Sequence, residues 1–331
     1  MKKRIRFFIA CLISVILLWF LFKDIAWPEV FVQMQEANHI YTLLCFALLA
    51  LINAIKIYRW RLLLNAFVQI GYKDLFRIGG LGFFLVMLLP LRLGEFSRPY
   101  LLKKEKGASF SSTMATIALE RALDGLFVTL MFFAMTRLLL GAYALPESLV
   151  TAAYLAFALF LGVFVFLIAA FLVEEKLMAL IRATLGRLSS GFAEKIVDLG
   201  GKFVQGLRSL PNFSALGVYL FWTAAYWLLN GYSLFLLMQA FGLELPLVAG
   251  LMMVCILVIG IMIPAGPGFL GTFQGAIILG LGIFGVGQTA GAAFVMVYYP
   301  LTVLGTILFA LPYFLTSGVD VRDVIGRQEG A

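Results

Sequence analysis

The sequence predicts an all-α protein, a polytopic helical bundle in a membrane with two broken, re-entrant segments. The 331 residues are 63% hydrophobic and only 13% charged, with a mean hydropathy of +1.03. Soluble domains are about half apolar and a quarter charged. Apolar runs that approach the roughly 20 residues of a membrane span recur along the chain. Two of them are interrupted by Pro and Gly about 175 positions apart. This pairing is typical of an internal repeat around a central site, and an inverted, pseudo-symmetric repeat is expected.

The apolar runs divide a single membrane domain, 1–331, into two halves joined by a linker. The first half, 1–173, has expected spans at residues 7–22, 39–57, 116–140 and 149–173, a short outer loop after residue 22, and a broken segment at 76–102. The second half, 211–318, has expected spans at 213–241, 246–263 and 290–315, and a broken segment at 264–284. The linker is 174–210, and 319–331 forms a short tail.

The basic residues predict the orientation. They precede the first span and then cluster after the second span, after the first broken segment, in the linker and in the tail. All of these places lie on one side if both termini are cytoplasmic, as the positive-inside rule requires. This distribution explains the net charge of +8 without nucleic acid. Basic and aromatic residues at the end of the second span are interpreted as an interfacial belt: Lys56, Tyr58, Arg59, Trp60 and Arg61.

The first broken segment carries charge among apolar residues. Ile78–Leu89 is too short to cross the bilayer, so a hairpin that enters from the cytoplasm and turns near Pro90–Gly94 is expected. On a helix, Arg92 and Glu95 share a face, and Arg98 lies close to it. A glutamate between two arginines fixes both guanidinium groups and leaves donors for a phosphate. The alternative is that these side chains snorkel to the cytoplasmic interface.

A second charged set lies in the first turns of the span expected at 116–140. Glu120 and Asp124 are four residues apart and share a helix face, and Arg121 can pair with Asp124. These residues can complete a charge network with Arg92 and Arg98. The alternative is an interfacial first turn, where acidic residues favour a helix N-terminus.

The second broken segment is almost neutral. Its glycines allow close approach of a ligand to the backbone, and the helix that restarts after them offers free N–H groups to an anion. The alternative is a kink that serves helix packing. The candidate site residues are Pro264, Gly266, Pro267, Gly268, Gly271 and Gln274.

The linker at 174–210 has apolar residues at helical intervals among charges. It predicts one or two amphipathic helices on the inner surface, or else a plain cytoplasmic linker. No hydrolase, kinase, metal or cofactor motif is found, and the three cysteines lie in apolar runs. The sequence therefore predicts neither an enzyme nor a cofactor.

Three motifs in this order resemble the lysylphosphatidylglycerol synthase transmembrane family. They are the LPLRLGEFSR stretch that ends at Arg98, the ERALD stretch that ends at Asp124, and the PAGPGFLG stretch that ends at Gly271. The family includes the flippase domain of the bacterial multiple peptide resistance factor. Two departures stand out: the chain has no aminoacyltransferase domain, and Gln274 replaces a glutamate found in many relatives.

The resemblance implies a bacterial inner-membrane protein that moves a lipid between leaflets. Arg92, Glu95 and Arg98 would be headgroup or gating residues, supported by Glu120, Arg121 and Asp124. The expected partner is an anionic phospholipid, an aminoacylated phospholipid or a polyprenyl phosphate, and a homo-oligomer stays open. The alternative is a non-transporting scaffold for a glycosyltransferase or a lipid-modifying enzyme.

Overall fold

A computed structural model describes residues 12, 14–65, 67–139, 143–185, 190–208, 213–263 and 266–317. Every regular element in these ranges is a helix, which confirms the all-α prediction. The start of the first predicted span, Pro264 and the tail at 319–331 lie outside the described residues. Four helices in the described ranges are long and apolar enough to cross a membrane: His39–Leu64, Glu147–Leu172, Ser214–Ala240 and Gln288–Thr316.

The first half folds into helices in the predicted order, with shifted ends. They are α1 (residues 14–22), α2 (Trp27–Glu36), α3 (His39–Leu64), α4 (Tyr72–Leu88), α5 (Ser97–Lys106), α6 (Phe110–Leu138) and α7 (Glu147–Leu172). Helix α2 replaces much of the expected outer loop, and Pro28 fits its first turn. The Asn38 side chain caps α3 by accepting the Ile40 N–H at 2.9 Å. Helix α3 continues past residue 57, the predicted end of the span.

The first broken segment is a hairpin of α4 and α5 joined by a 3-10 turn. Helix α4 ends where Leu89 becomes extended, and the turn spans Pro90–Phe96. Proline lacks the N–H that would continue α4. Helix α5 ends at Gly107, whose φ of 67° fits glycine. The predicted turn is therefore found, whereas its entry from the cytoplasm stays a prediction.

Helix α6 begins earlier than expected, so its charged residues lie deeper within the helix than predicted. The Ser109 side chain accepts the Ser112 N–H and caps the helix. The helix thus starts at Phe110, so Glu120 lies almost three turns inside it and Asp124 lies near its middle. The alternative of an interfacial first turn is wrong for these two residues.

The linker contains two helices, α8 (Glu174–Leu185) and α9 (Ser190–Leu207). Helix α9 lies against α6: the Ser112 hydroxyl donates to the Lys202 carbonyl at 2.7 Å. A Cβ added at Gly206 would come 2.2 Å from the Ser112 carbonyl oxygen, so the two backbones touch there. The linker thus forms two helices that pack against the bundle, whereas their position on the inner membrane surface stays a prediction.

The second half repeats the order of the first half from α3 to α6. It comprises α10 (Phe213–Ala240), α11 (Leu247–Gly260), a 3-10 turn (Pro267–Phe269), α12 (Thr272–Ile283) and α13 (Gln288–Ser317). Helix α10 begins 174 positions after α3, α11 begins 175 after α4, the second 3-10 turn begins 177 after the first, and α13 begins 178 after α6.

The two 3-10 turns share an unusual backbone feature. Arg92 has a φ of 58° and Phe269 has a φ of 56°, and these are the two non-glycine residues with positive φ in the described chain. They are 177 positions apart, as are the turns that contain them. This correspondence supports an internal repeat at the level of backbone conformation. The inverted orientation of the halves stays a prediction.

Helix α4 is wedged between neighbours at two glycines. A Cβ at Gly80 would come 1.8 Å from the carbonyl oxygen of Phe309 in α13. A Cβ at Gly82 would come 2.3 Å from Cγ of Arg98, so the arginine side chain lies flat across α4. These contacts hold the hairpin against the second half of the chain and fix the position of Arg98.

Candidate functional site

Charged side chains from three helices and the first 3-10 turn meet inside the bundle. We call this set the charge cluster, and it comprises Lys56, Arg59, Arg92, Glu95, Arg98, Glu120, Arg121 and Asp124. Its innermost members are almost fully buried, with exposed fractions of 2% for Arg59, 0% for Arg98, 3% for Glu120 and 5% for Asp124. Charges buried this deeply must be paired.

Arg98 forms the central ion pair of the cluster. Its Nη1 donates to Glu120 Oε2 at 2.8 Å. Its guanidinium carbon lies 4.3 Å from the ring centroid of Phe83 and 5.3 Å from that of Trp60. The aromatic faces add cation–π attraction where water is excluded. Arg98 therefore does not snorkel to the interface, and its carboxylate partner is Glu120 rather than Glu95.

Asp124 joins α3, α6 and α10. Its Oδ1 accepts from Arg59 Nη2 and, at 3.2 Å, from Trp227 Nε1. Arg59 Nη2 also donates to the Tyr219 hydroxyl at 3.0 Å. The guanidinium lies 5.0 Å from the ring centroids of Tyr219 and Tyr226. The expected pair of Arg121 with Asp124 is wrong, because Arg59 and Trp227 occupy this carboxylate.

Arg121 shares Glu120 with Arg98. Its Nη2 donates to Glu120 Oε1, while Arg98 takes Oε2. One carboxylate thus serves two guanidinium groups. The Arg121 side chain is 34% exposed, so it lies at the edge of the cluster rather than at its centre.

Arg92 connects the two broken segments. Its Nη2 donates to the carbonyl of Ile261, at the end of α11, at 3.2 Å, and its guanidinium lies 5.6 Å from the Phe269 ring. A cation is favoured at a helix C-terminus. Arg92 and Glu95 approach to 3.9 Å, although they lie in a 3-10 turn rather than on an α-helical face. The predicted glutamate held between Arg92 and Arg98 is therefore wrong, since Glu95 meets only Arg92 of that pair.

Several members of this site were missed by the sequence interpretation. Lys56 and Arg59 belong to the charge cluster, and Trp60 is fully buried, although all three were predicted at the interface. The cause is the predicted end of the span near residue 57, which placed them at that end or beyond it. The spacing of Lys56 and Arg59 by three residues, on one helix face, is the signal that was available. Nothing in the sequence identified Tyr219 and Tyr226 as partners of Arg59, or Trp227 as a partner of Asp124.

The backbone of the second broken segment is capped by side chains from α1, α12 and α13. The Gly271 N–H donates to Gln274 Oε1 at 2.8 Å, so Gln274 caps α12. The Gly266 N–H donates to Ser14 Oγ at 2.9 Å, and the Tyr299 hydroxyl donates to the Gly268 carbonyl at 3.0 Å.

Helix α1 covers the same helix start, since a Cβ at Gly271 would come 2.9 Å from the Leu17 Cβ. Pro267 begins the second 3-10 turn. Arg92 thus contacts Ile261 and Phe269, next to and within the second broken segment, and among the described residues it makes no hydrogen bond to the start of α12. A ligand role for Gly266, Gly268, Gly271 or Gln274 stays a prediction.

A separate ionic network lies at the foot of the α4–α5 hairpin. Asp74 pairs with Lys106 and Arg77, and Arg77 also pairs with Glu105. The hydrogen bond from Lys106 is the largest influence that lowers the pKa of Asp74 below its ordinary value. Two cations meet two acids here, so the network is electrically balanced. The charge cluster differs, because five cationic side chains share three carboxylates.

Comparisons with known proteins agree with this architecture. The family model for the lysylphosphatidylglycerol synthase TM region matches residues 7–310. A UPF0104 membrane protein of Methanothermobacter thermautotrophicus is 25% identical over 306 residues, which cover 86% of this chain and 88% of the relative. No solved structure matches. Both broken segments and the whole charge cluster fall inside the matched region, and the chain belongs to the lysylphosphatidylglycerol synthase transmembrane-region family, as a multi-pass membrane protein.

Proposed function

We propose that this protein is a lipid translocase that moves a phospholipid or a lipid phosphate between the leaflets of a bacterial inner membrane. The observation that carries the proposal is a buried charge cluster at the place where the two broken segments meet. Ionisable residues inside a membrane domain are costly and typically mark a substrate pathway. Broken helices at corresponding places in two halves typically surround the binding site of a transporter.

The chemistry of the cluster suits a phosphate headgroup. Guanidinium groups bind phosphate oxygens through paired, charge-assisted hydrogen bonds. Several buried donors of the cluster have no acceptor among the described residues: Nε of Arg59, Nε and Nη2 of Arg98, and Nε of Arg121. The exposed fractions of Arg92 and Arg121, about one third each, leave an approach from outside the bundle.

The contacts of Arg92 hold the two broken segments together and can be broken. The contact between the broken segments includes one hydrogen bond, from Arg92 to the Ile261 carbonyl, and one stacking contact, with Phe269. A non-glycine residue at positive φ stores backbone strain, which is typical of switch regions. A headgroup phosphate that takes the guanidinium away from Ile261 would free the two segments to separate. The lipid tails would stay in the bilayer during this exchange.

The proposal covers an anionic phospholipid, an aminoacylated phospholipid and a polyprenyl phosphate as substrates. It assigns no catalysis, cofactor or nucleic acid to the chain, and it holds with or without a homo-oligomer. The positive-inside distribution of basic residues supports a cytoplasmic location of both termini.

The alternative is a membrane scaffold for a lipid-modifying enzyme or a glycosyltransferase. The helices α8 and α9 favour it, because they present exposed charges such as the pair of Arg182 and Glu194. A scaffold would use that surface, whereas a translocase would use the charge cluster.

Leaflet exchange in proteoliposomes separates the two functions. The purified protein is reconstituted with labelled phosphatidylglycerol, lysyl-phosphatidylglycerol or polyprenyl phosphate, and the outer-leaflet label is quenched over time. A translocase accelerates loss of at least one label, and the R182Q/E194Q variant does so at the wild-type rate. Folded protein that accelerates none of them contradicts the proposal and favours the scaffold.

A further inference from the structure

The charge cluster holds more cations than its carboxylates compensate. The cations are Lys56, Arg59, Arg92, Arg98 and Arg121, and the acids are Glu95, Glu120 and Asp124. With every group in its ordinary charge state, five positive charges against three negative ones leave a formal excess of two among the described residues. The nearby network of Asp74 and Glu105 with Arg77 and Lys106 has no such excess. The excess of the charge cluster is therefore not shared by this neighbouring network.

The pairing within the cluster identifies the cations that stay uncompensated. Asp124 is taken by Arg59, and Glu120 is divided between Arg98 and Arg121. Glu95 reaches only the loose 3.9 Å contact with Arg92. No carboxylate among the described residues pairs with Lys56.

Lys56 packs among the other cations of the charge cluster. Its ammonium is 4.2 Å from the centroid of the Phe83 ring. The guanidinium of Arg98 lies 4.3 Å from the same centroid, so two cations pack on one aromatic ring. Lys56 also interacts electrostatically with Arg121, Glu120 and Asp124. A lysine ammonium is a compact, strongly hydrated charge, and burial without an anion is unfavourable for it.

The unpaired donors of the cluster belong to the side chains around Lys56. Arg98 is fully buried, and its Nε and Nη2 have no acceptor among the described residues. These N–H groups and the Lys56 ammonium belong to side chains that pack on the same Phe83 ring. These groups are available to donate to an anion with several oxygen atoms. An anion with two negative charges would neutralise the excess of two positive charges.

We infer that the translocation site selects a lipid phosphomonoester, and that Lys56 is the residue that distinguishes it from a phosphodiester. This inference rests on the proposed function. A phosphomonoester carries a charge of about −1.5 to −2 at pH 7 and three terminal oxygens. The headgroup of phosphatidylglycerol is a phosphodiester with one negative charge. The doubly charged group matches the excess of the cluster, and the singly charged group leaves one cation uncompensated.

The same arrangement disfavours an aminoacylated headgroup. Its ammonium would enter a cluster that is already cationic, where like charges repel. The carboxylates of Glu120 and Asp124 are occupied by arginines. Gln274 is neutral, and its side-chain oxygen caps α12. Glu95 is the remaining acid, and it lies beside Arg92.

Equilibrium binding tests the inference independently of transport. Phosphatidic acid, phosphatidylglycerol and lysyl-phosphatidylglycerol with the same short acyl chains are titrated into the detergent-purified protein at pH 7.5. A polyprenyl phosphate and the matching polyprenol are titrated in parallel, which separates the phosphate from either kind of tail. We expect phosphatidic acid to bind about tenfold tighter than phosphatidylglycerol, the gain of one charge-assisted contact. Lysyl-phosphatidylglycerol should bind most weakly.

The Lys56 variants assign the preference to this residue. K56Q and K56M remove the ammonium, and K56M keeps an aliphatic chain against Phe83. Either variant should reduce the tenfold preference for the phosphomonoester to about twofold or less. K104Q removes an exposed lysine near the hairpin and should keep the wild-type preference.

Equal or tighter binding of phosphatidylglycerol or lysyl-phosphatidylglycerol by the wild type overturns the inference, whether or not the variants fold. An unchanged preference in folded K56Q overturns the role of Lys56. Selective binding without leaflet exchange would leave this inference standing and contradict the proposed translocation. Leaflet exchange without headgroup selectivity would support the proposed translocation and contradict this inference.

Discussion

The Arg98 guanidinium shows how single residues hold the charge cluster in place. It is buried across Gly82, between two aromatic rings, and its ion pair with Glu120 links α5 to α6. A buried pair is weak evidence for stability as such, because desolvation offsets the attraction. Removal of one partner is different, because it leaves the other charge buried without compensation.

Substitution of Arg98 by alanine should therefore destabilise the fold strongly. We expect R98A to lower the free energy of unfolding by about 3–5 kcal/mol, the usual cost of breaking a buried pair. Thermal unfolding in detergent measures this. R137A is the control, since Arg137 is exposed near the end of α6, and its change should stay within about 0.5 kcal/mol. Equal stability of the two variants would show that the buried pair is not formed.

The residues of the site could be predicted from the sequence better than their partners. Charged residues within apolar segments correctly pointed to Arg92, Arg98, Glu120 and Asp124 as buried or partly buried groups. Their pairing was assigned from spacing along one helix, whereas burial in a bundle pairs residues on different helices. The partner of Asp124 is Arg59, 65 positions away, and no local rule identifies it.

At the scale of the element, the α4–α5 hairpin depends on close backbone contact. A methyl group at Gly80 has no room, because the Phe309 carbonyl oxygen would be 1.8 Å away. Gly162 on α7 is the opposite case, with no atom within 4 Å of an added Cβ. Both glycines lie inside helices. They form a matched pair for a substitution test.

The G80A and G162A variants should change stability in opposite directions. Alanine favours a helix over glycine by about 1 kcal/mol, so G162A should keep or raise the unfolding temperature. Overpacking typically costs about 1–3 kcal/mol, so G80A should lower it. Thermal unfolding of the two variants under one condition makes the comparison. A G80A variant as stable as G162A would contradict the packing of α4 against α13.

The ionic network at the foot of the hairpin predicts that the stability of the fold depends on pH. The folded-state pKa of Asp74 is lowered, chiefly by the hydrogen bond from Lys106. Its contribution to stability is therefore present above the ordinary carboxyl range and is lost as the pH falls through the folded pKa. D74N should be less stable than the wild type at pH 7, and the difference should vanish on acidification.

Unfolding of both proteins between pH 7 and pH 3 checks this sign. E175Q is the control, because Glu175 is exposed, and its difference from the wild type should not vary in this way. A constant difference between D74N and the wild type across this range would show that the Asp74 ion pair does not contribute.

The type and order of the helices were predicted well from the sequence, and their first and last residues less well. The ends depend on caps such as Ser109 and Asn38, which extend α6 and fix the start of α3. The continuation of α3 to Leu64 and the packing of α9 on α6 depend on tertiary contacts, which composition does not show.

On the scale of the whole molecule, the fold predicts a defined topology. The basic foot of the hairpin and the α8–α9 linker should face the same side of the membrane, and the start of α2 should face the other. Single cysteines at Lys104, Arg182 and Glu29, in a chain without native cysteines, test this with an impermeant maleimide. Only the Glu29 position should label in intact cells. Outside labelling at Lys104 would contradict this orientation.

The repeat could be inferred from the sequence only as paired interruptions. Its support now comes from the similar offsets of corresponding elements and from the shared positive φ of Arg92 and Phe269. The contact between the two broken segments, from Arg92 to Ile261 over 169 positions, could not be predicted, because it arises from the packing of the two halves.

Leaflet exchange by the R92G variant tests the central claim most directly. Glycine adopts the positive φ of this position without strain, so R92G should fold while lacking the guanidinium, and relief of strain should offset part of the loss of the contacts with Ile261 and Phe269. We predict that exchange of the best wild-type substrate falls at least tenfold in R92G, and that R137A exchanges at the wild-type rate. Undiminished exchange by folded R92G would show that the joint between the broken segments is not part of the translocation site.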